Sequence, residues 1–193
     1  ANPTTVYDRT TKRIYLYYVR GMSKDPVTNQ SICIKGQSNH YIVSEDEGRT
    51  WSNSVDMTAT MGSFKGALPG PGNAVQQRNG RIIIPFHYGT AERSWGRDLV
   101  VWSDDGQEYH VAETAIPKMD EATVAAIPSP HVSHDTLVLW MRNAHNNQSC
   151  ACKARSVSTD NGITWSKIYN EPQLLDPICQ GSATVFNNSL FYV

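Results

Sequence analysis

The chain has 193 residues, of which 39% are hydrophobic and 18% are charged, and its formal net charge is −1. This composition predicts an ordinary soluble globular protein, and the length suits one or two domains of about 100 to 200 residues. The balanced charge excludes the clustered basic surface that nucleic acids or anionic membranes require. Because no apolar run approaches the roughly 18 residues that cross a bilayer, we expect no transmembrane segment, and the first residues are not a signal peptide.

Short strands joined by polar turns are predicted along the whole chain. Residues typical of strands, β-branched and aromatic, fall into four successive units: 6–7, 13–19, 41–43 and from 51; 74–76, 81–84 and 99–102; 123–127, 136–142 and 154–157; 183–186 and 190–193. Asn79-Gly80 adds a strong hairpin signal in the second unit. Since no segment shows helical periodicity with caps, the predicted fold class is all-β.

One octet, Ser-x-Asp-x-Gly-x-Thr-Trp, occurs twice. Its serine and aspartate suit turn hydrogen bonds, its glycine suits positive φ, and its tryptophan is expected to return to the core. A degenerate copy at 103–109 has tyrosine for tryptophan. One carboxylate in each copy favours structural anchoring over metal binding. The structural positions in the two full copies are Ser44, Asp46, Gly48 and Trp51, and Ser158, Asp160, Gly162 and Trp165.

The spacing of these turns indicates a repeat architecture. Their serines recur at intervals of 59 and 55 residues, which suits propeller blades of roughly 40 to 50 residues plus insertions. We expect blades at about 1–68, 69–119 and 120–177 and an incomplete one at 178–193. Because the apolar strand at 190–193 would be an exposed edge, the chain is expected to be a piece of a longer protein.

Residues just before the first strand of each blade are expected to face a central pocket. These positions are Asn2, the loop at 70–73, Asp120-Glu121, and 179–182. Arg142 ends the strand that follows the Glu121 strand, so hairpin pairing places both side chains on one rim. Its guanidinium suits a ligand carboxylate, because the fork makes two parallel charge-assisted hydrogen bonds.

In these residues the chain resembles the sialidase (neuraminidase) family, most closely the animal type. The octets are similar to its Asp boxes, Asn2-Pro3 to its Asn-Pro segment, and residues 70–72 to its Gly-Pro-Gly stretch. Glu121-Ala-Thr-Val, Arg142-Asn and Cys179-Gln-Gly-Ser match family segments in the same order. The resemblance runs collinearly over essentially the whole chain, and it implies a six-bladed β-propeller of which this chain supplies about three and a half blades.

The resemblance also implies an activity: exo-α-sialidase, a retaining hydrolase that removes terminal sialic acid from glycoproteins, glycolipids or oligosaccharides. Glu121 would be the base for a tyrosine nucleophile and Arg142 one of three arginines on the substrate carboxylate. Gln180, Asn2, His87 and Tyr88 would line the pocket. The tyrosine, the acid/base aspartate and the other two arginines have no matching position in this chain, so we expect it to be inactive alone. The alternative is a noncatalytic Asp-box propeller that binds carbohydrate or protein.

The sequence is compatible with more than one cellular location. The sequons at Asn29, Asn147 and Asn187 permit a secretory or lysosomal route; a cytoplasmic or membrane-associated location is the alternative. Cys150 and Cys152, on one strand face, are expected to be buried free thiols. The six histidines show no paired ligand spacing, so we expect no metal, and no cofactor is implied.

Overall fold

The computed structural model describes residues 2–24, 31–90, 93–114, 116–117, 119–143 and 150–193. They form sixteen strands and a short 3-10 helix, Thr58–Phe64, which the sequence did not predict. The strands are β1 Thr4–Asp8, β2 Arg13–Lys24, β3 Ser31–Ser44, β4 Val55–Asp56, β5 Leu68–Pro69, β6 Val75–Gln76, β7 Ile82–Thr90, β8 Arg93–Ser103, β9 His110–Val111, β10 Ile116–Pro117, β11 Asp120–Ile127, β12 Thr136–Arg142, β13 Cys152–Ser158, β14 Tyr169–Leu175, β15 Ala183–Phe186 and β16 Ser189–Tyr192.

The strands form four sheets that follow one another along the chain. The first has the order β1-β2-β3-β4 and the third β11-β12-β13-β14; the second is built on β7 and β8, with β5, β6, β9 and β10 beside them, and the fourth is the hairpin β15-β16. The strand pairs within the sheets are antiparallel. The all-β prediction is therefore confirmed.

The hydrophobic core lies between the sheets. The first cluster fills the space between the first and second sheets and includes Tyr15, Tyr17 and Tyr109. The second joins the second and third sheets, and the third packs Trp140 and Ala183 between the third sheet and the final hairpin. Because each sheet is sandwiched against its neighbours in chain order, the sheets pack as consecutive blades do in a β-propeller.

The first strands of successive sheets converge on one axis. Asn73 O accepts a hydrogen bond from Val124 N at 3.2 Å, and Asn73 Nδ2 donates to Ala183 O at 3.2 Å. Thr4 Oγ1 donates to Gly72 O, which links the first sheet to the second. An open cleft of about 340 Å³, bordered by residues such as Val6, Ala125 and Val185, runs along these strands.

The octets make the predicted turns. In the second octet Ser158 Oγ accepts from Gly162 N at 3.0 Å and donates to Asp160 Oδ1 at 2.8 Å. The first octet repeats both bonds, since Ser44 Oγ accepts from Gly48 N at 2.8 Å and donates to Asp46 at 2.8 Å. The glycines have φ of +85° and +86°, as expected of positions that disfavour side chains.

The tryptophans of the two octets differ. Trp165 is 6% exposed and belongs to the core between the second and third sheets, whereas Trp51 is 38% exposed. The expectation that both return to the core is wrong for Trp51. Its octet belongs to the first sheet, and within the described residues no other sheet packs on the corresponding side.

The cysteine expectation is also wrong. Cys150 and Cys152 form a disulfide, their Cα atoms being 5.1 Å apart, within the usual range for a bridge.

The sequons at Asn29 and Asn147 lie outside the described residues, and so does His145. Asn187 is exposed in the turn between β15 and β16.

Candidate functional site

An irregular hairpin brings Glu121 and Arg142 together. Strands β11 and β12 pair Asp120 with Arg142 and Ala122 with Met141, and the register shifts between Asp120 and Ala122. Glu121 is the extra residue and has φ of +35°, an unusual value for a side chain larger than glycine. The bulge aims its carboxylate at the strand end opposite: Glu121 Oε2 lies 2.8 Å from Arg142 Nη1.

Arg142 is held by two carboxylates. Asp120 Oδ2 is 3.5 Å from the same Nη1 atom. Burial alone lowers the pKa of the Arg142 guanidinium, but the hydrogen bond and charge of Glu121 outweigh burial and raise that pKa overall. Arg142 is therefore cationic. Its Nε is buried and has no hydrogen-bond partner among the described residues. The described residues therefore satisfy only part of the hydrogen-bonding capacity of the guanidinium.

His87, on β7, faces the same group from the neighbouring sheet. Its Nδ1 lies 3.1 Å from Gly70 O and donates to it, because the carbonyl can only accept. Its Nε2 is 3.7 Å from Asp120 Oδ1. Burial lowers the pKa of His87, and Asp120 opposes this shift without reversing it. The ring is neutral at pH 7 and presents Nε2 as an acceptor.

The Gly-Pro-Gly loop separates His87 from the bulge. The carbonyl of Gly70 also accepts a hydrogen bond from Ala122 N at 3.2 Å, and Pro71 forms a bridge with Ala122. A Cβ at Gly72 would collide with the Thr123 side chain. Glycine is thus required at 72, because the loop touches the strand that carries Glu121.

Asp98 is a buried acid behind the site that sequence reasoning missed. It is paired with His87 across β7 and β8 and is 0% exposed. Neither carboxyl oxygen has a hydrogen-bond partner in the described part of the chain. Burial, with smaller contributions from Asp120 and Glu121, raises its pKa well above the ordinary value. The available signal was an acid directly before the apolar run Leu99-Val-Val.

The other predicted pocket residues are placed differently. Tyr88 packs edge-on against Phe64, with ring centroids 5.7 Å apart, in the first core cluster, so it lies away from His87 and Arg142. Asn2 is half-buried just before β1. Gln180 is exposed in the loop after Cys179. The structure therefore brings Glu121, Arg142 and His87 together and places Tyr88 elsewhere.

The rim brings four polar side chains together. A guanidinium with unused donors, two carboxylates and a neutral imidazole lie side by side. Among the described residues no three His, Cys, Asp or Glu side chains are arranged to hold a metal ion. The open cleft along the inner strands is bordered by neither Glu121 nor Arg142. The structure described here also contains no helix of the length and apolarity needed to cross a membrane.

Comparison with known proteins agrees with this architecture. The pattern of the BNR repeat-like domain matches residues 1–189, and the chain belongs to that family. Human Sialidase-3 is 25% identical over 96% of this chain and 46% of its own length. The exo-alpha-sialidase of Arthroderma benhamiae is also 25% identical, over 97% of this chain and 44% of its own. The chain thus spans about half the length of these curated relatives.

Solved structures show the same fold. The Hadza microbial sialidase Hz136 superposes with a TM-score of 0.74 at 22% identity, over 95% of this chain and 36% of that one. The intramolecular trans-sialidase from Ruminococcus gnavus gives 0.70 at 16% identity, covering 96% and 57%. The resemblance to sialidases and the sialidase-type propeller fold are confirmed. The complete number of blades and their boundaries stay predictions.

Proposed function

We propose that the protein to which this chain belongs is an exo-α-sialidase that hydrolyses terminal sialic acid from glycoproteins, glycolipids or oligosaccharides with retention of configuration. The observation that carries the proposal is the pairing of Glu121 and Arg142 across the bulged hairpin at 2.8 Å. Similarity to proteins named sialidases supports it. The substrate class is a sialylated glycoconjugate, and Arg142 would bind the carboxylate of its sialic acid.

Arg142 binds the carboxylate of the substrate in this proposal. Its Nη1 faces Glu121 and Asp120, and the Arg142 side chain is 27% exposed, which leaves part of the guanidinium open to a ligand. A ligand carboxylate that uses the remaining donors would be bound without breaking the Glu121 pair. Charge-assisted hydrogen bonds of this kind are about twice as strong as neutral ones.

Glu121 acts as the base for a tyrosine nucleophile supplied from outside this chain. The anomeric carbon of sialic acid bears a carboxylate, so an anionic nucleophile would be repelled from it. A neutral tyrosine that loses its proton to Glu121 during attack avoids this repulsion. Glu121 Oε2 lies 2.8 Å from Arg142 Nη1, so the base lies next to the arginine that binds the substrate. His87, Gln180 and Asn2 are proposed to line the space around the sugar.

Turnover of a fluorogenic sialoside by the full-length protein tests the proposal. Glu121→Ala is expected to lower kcat by roughly 100- to 10,000-fold, the usual contribution of a general base. Glu171→Ala is the matched control, since Glu171 is as buried as Glu121 (20% side-chain exposure) and pairs with Arg155 in the same sheet. The control is expected to stay within about three-fold of wild type.

The outcome separates the enzyme from a binding propeller. Equal rates for wild type and Glu121→Ala would remove Glu121 from the mechanism. Absence of turnover in the wild-type protein, together with binding of sialylated glycans, would favour the noncatalytic Asp-box module.

A further inference from the structure

We infer that Asp176 is a positioning residue that fixes Arg142 and the Cys179-Gln180 loop against each other. The inference rests on the proposed function, because it assigns Asp176 a role in substrate binding at that site. It is argued from hydrogen bonds that join three segments distant in sequence.

The carboxylate of Asp176 accepts four hydrogen bonds. Oδ2 accepts from Asn143 N at 2.7 Å. Oδ1 accepts from Ile178 N at 2.8 Å, from Cys179 N at 3.2 Å and from Lys153 Nζ at 3.0 Å. The side chain of Asp176 is 0% exposed. A buried carboxylate with this many donors is fixed in one orientation, since any rotation leaves donors unpaired.

One oxygen of Asp176 therefore holds the end of the Arg142 strand. Asn143 follows Arg142 directly and is 0% exposed. Its own amide donates to Cys152 O at 2.9 Å, and the backbone N of Asp176 donates to Ala151 O at 2.9 Å. The backbone next to Arg142 is thus tied both to Asp176 and to the start of β13.

The other oxygen holds the loop that carries Gln180. Ile178 has φ of +62°, a region that a β-branched residue occupies only where its surroundings impose it. The hydrogen bond from Ile178 N to Asp176 stabilises that conformation. Lys153, 3% exposed, completes the arrangement, because its ammonium bonds both Asp176 Oδ1 and Cys179 O.

The charge of Asp176 matters as well as its shape. Lys153 is buried and would be left without its carboxylate partner if Asp176 were neutral. An amide at 176 offers one acceptor oxygen, so it cannot serve Asn143 on one side and the Ile178, Cys179 and Lys153 donors on the other. Asp176→Asn is therefore expected to loosen the Arg142 strand end and the Gln180 loop together.

Hydrogen exchange of the full-length protein reads this coupling directly. In Asp176→Asn we expect amide exchange in peptides that cover 141–144 and 176–180 to accelerate by roughly ten-fold or more in both. If the single variant does not fold, Asp176→Asn with Lys153→Met removes the acid and the base together and takes its place. Acceleration in one segment alone, or in neither, would overturn the inference.

Kinetics distinguish positioning from general stability. Arg142 binds the substrate carboxylate in the ground state and the transition state alike, so its loosening is expected to raise KM by roughly ten-fold with kcat within about three-fold. The Ki for free sialic acid should rise by the same factor. A purely structural defect would lower the active fraction, hence the apparent kcat, and leave KM and Ki unchanged; that result would overturn the inference.

Asp135→Asn is the matched control. Asp135 is also a buried acid, 2% exposed, and pairs with Arg78 at 2.6 Å next to the opposite end of β12. Its replacement is expected to lower stability without changing KM or the exchange of 141–144 and 176–180. If the wild-type protein shows no turnover, that result counts against the proposed function. The hydrogen-exchange experiment would still test whether Asp176 couples the two segments.

Discussion

The two ends of the third sheet, β11 to β14, differ in the residue types that adopt positive φ. At the octet end Asp160 accepts from Thr164 N at 3.0 Å and from Ser158 Oγ at 2.8 Å. Its positive φ values fall on Gly162 and Asn161, residue types that adopt this region more readily than others. At the rim end Glu121 and Ile178 have positive φ without being glycine. Such departures are expected where function rather than stability selects the conformation.

The pKa values of an acid at the octet end and of one behind the rim shift in opposite directions. Burial opposes ionisation of Asp160, but its hydrogen bonds to Thr164 and Ser158 outweigh burial and lower its pKa. By contrast, burial raises the pKa of Asp98, which lies on β8 of the second sheet behind the rim. Interactions at the octet end therefore stabilise the folded state, whereas the buried acid behind the rim destabilises it. We expect substitutions at the octet end to change stability and substitutions at the rim to change activity.

Trp165→Ala is expected to have the largest effect. Trp165 is 6% exposed in the second core cluster, and loss of a buried aromatic side chain costs about 3 to 5 kcal/mol. Trp51→Ala, at the exposed position of the other octet, is expected to cost about 1 kcal/mol or less. Urea unfolding of the 193-residue chain measures both. Equal costs would contradict the difference between the octets.

Arg142→Lys tests the rim. Lysine keeps the charge but loses the planar fork, so kcat/KM of the full-length protein should fall by roughly 100-fold while the unfolding temperature changes little. Arg155→Lys, in the same sheet beside Glu171, should leave kcat/KM within about three-fold of wild type. An equal fall in both variants would mean that the loss comes from the sheet as a whole.

Gly162→Ala and Gly48→Ala separate backbone strain from packing. Both glycines have nearly equal φ, but a Cβ at Gly162 would lie 2.8 Å from Ile83 Cδ1, whereas at Gly48 the nearest atom is 3.8 Å away. We expect about 2 kcal/mol of destabilisation at 162 and about 1 kcal/mol at 48. The midpoints of urea unfolding check this, and a larger loss at 48 would reverse the assignment.

Asp98→Asn should give the smallest change, with a distinctive pH dependence. Because the folded pKa of Asp98 lies above its unfolded value, its contribution to stability is fully present below about pH 3.9 and is lost as the pH rises through the folded pKa. The amide removes this loss, so the variant should be more stable than wild type at pH 7.5 by about 1 kcal/mol, and the gain should shrink at pH 4.5.

Asp105→Asn is the control of opposite sign. Hydrogen bonds from the backbone N–H groups of Gln107 and Glu108 lower the pKa of Asp105, so its contribution is present above the unfolded pKa and is lost as the pH falls through the folded one. The variant should therefore be less stable than wild type at pH 7.5, with a smaller deficit near pH 3. Parallel pH profiles for the two variants would contradict the assignment of Asp98.

Local chemistry explains what the sequence predicted well. Serine, aspartate and glycine fix the octet turns through contacts within a few residues, so the pattern alone was sufficient. The meeting of Glu121 and Arg142 followed from hairpin pairing. The exposure of Trp51 was missed because the burial of a tryptophan depends on a neighbouring sheet rather than on its own turn.

Features that depend on distant contacts could not be read from the pattern. The bulge at Glu121 arises where β11 meets the Gly-Pro-Gly loop, about fifty residues earlier in the chain. Asp176 bonds to Lys153 and Asn143, which precede it by 23 and 33 residues, so neither contact can be read from the local sequence. Successive side chains of a strand point to opposite faces, and Tyr88 packs against Phe64 in the first core cluster, a contact that the local sequence does not reveal.

The carbonyl oxygen of Gly70 has two lone pairs, and both are used: one by the ring of His87 and the other by the main chain of Ala122. Rotation of that single peptide would release both partners at once, so the imidazole and the bulged strand cannot shift independently. Anyone redesigning what this pocket accepts should therefore retain the loop and replace His87 only by residues that still offer a donor to that oxygen, such as asparagine or glutamine.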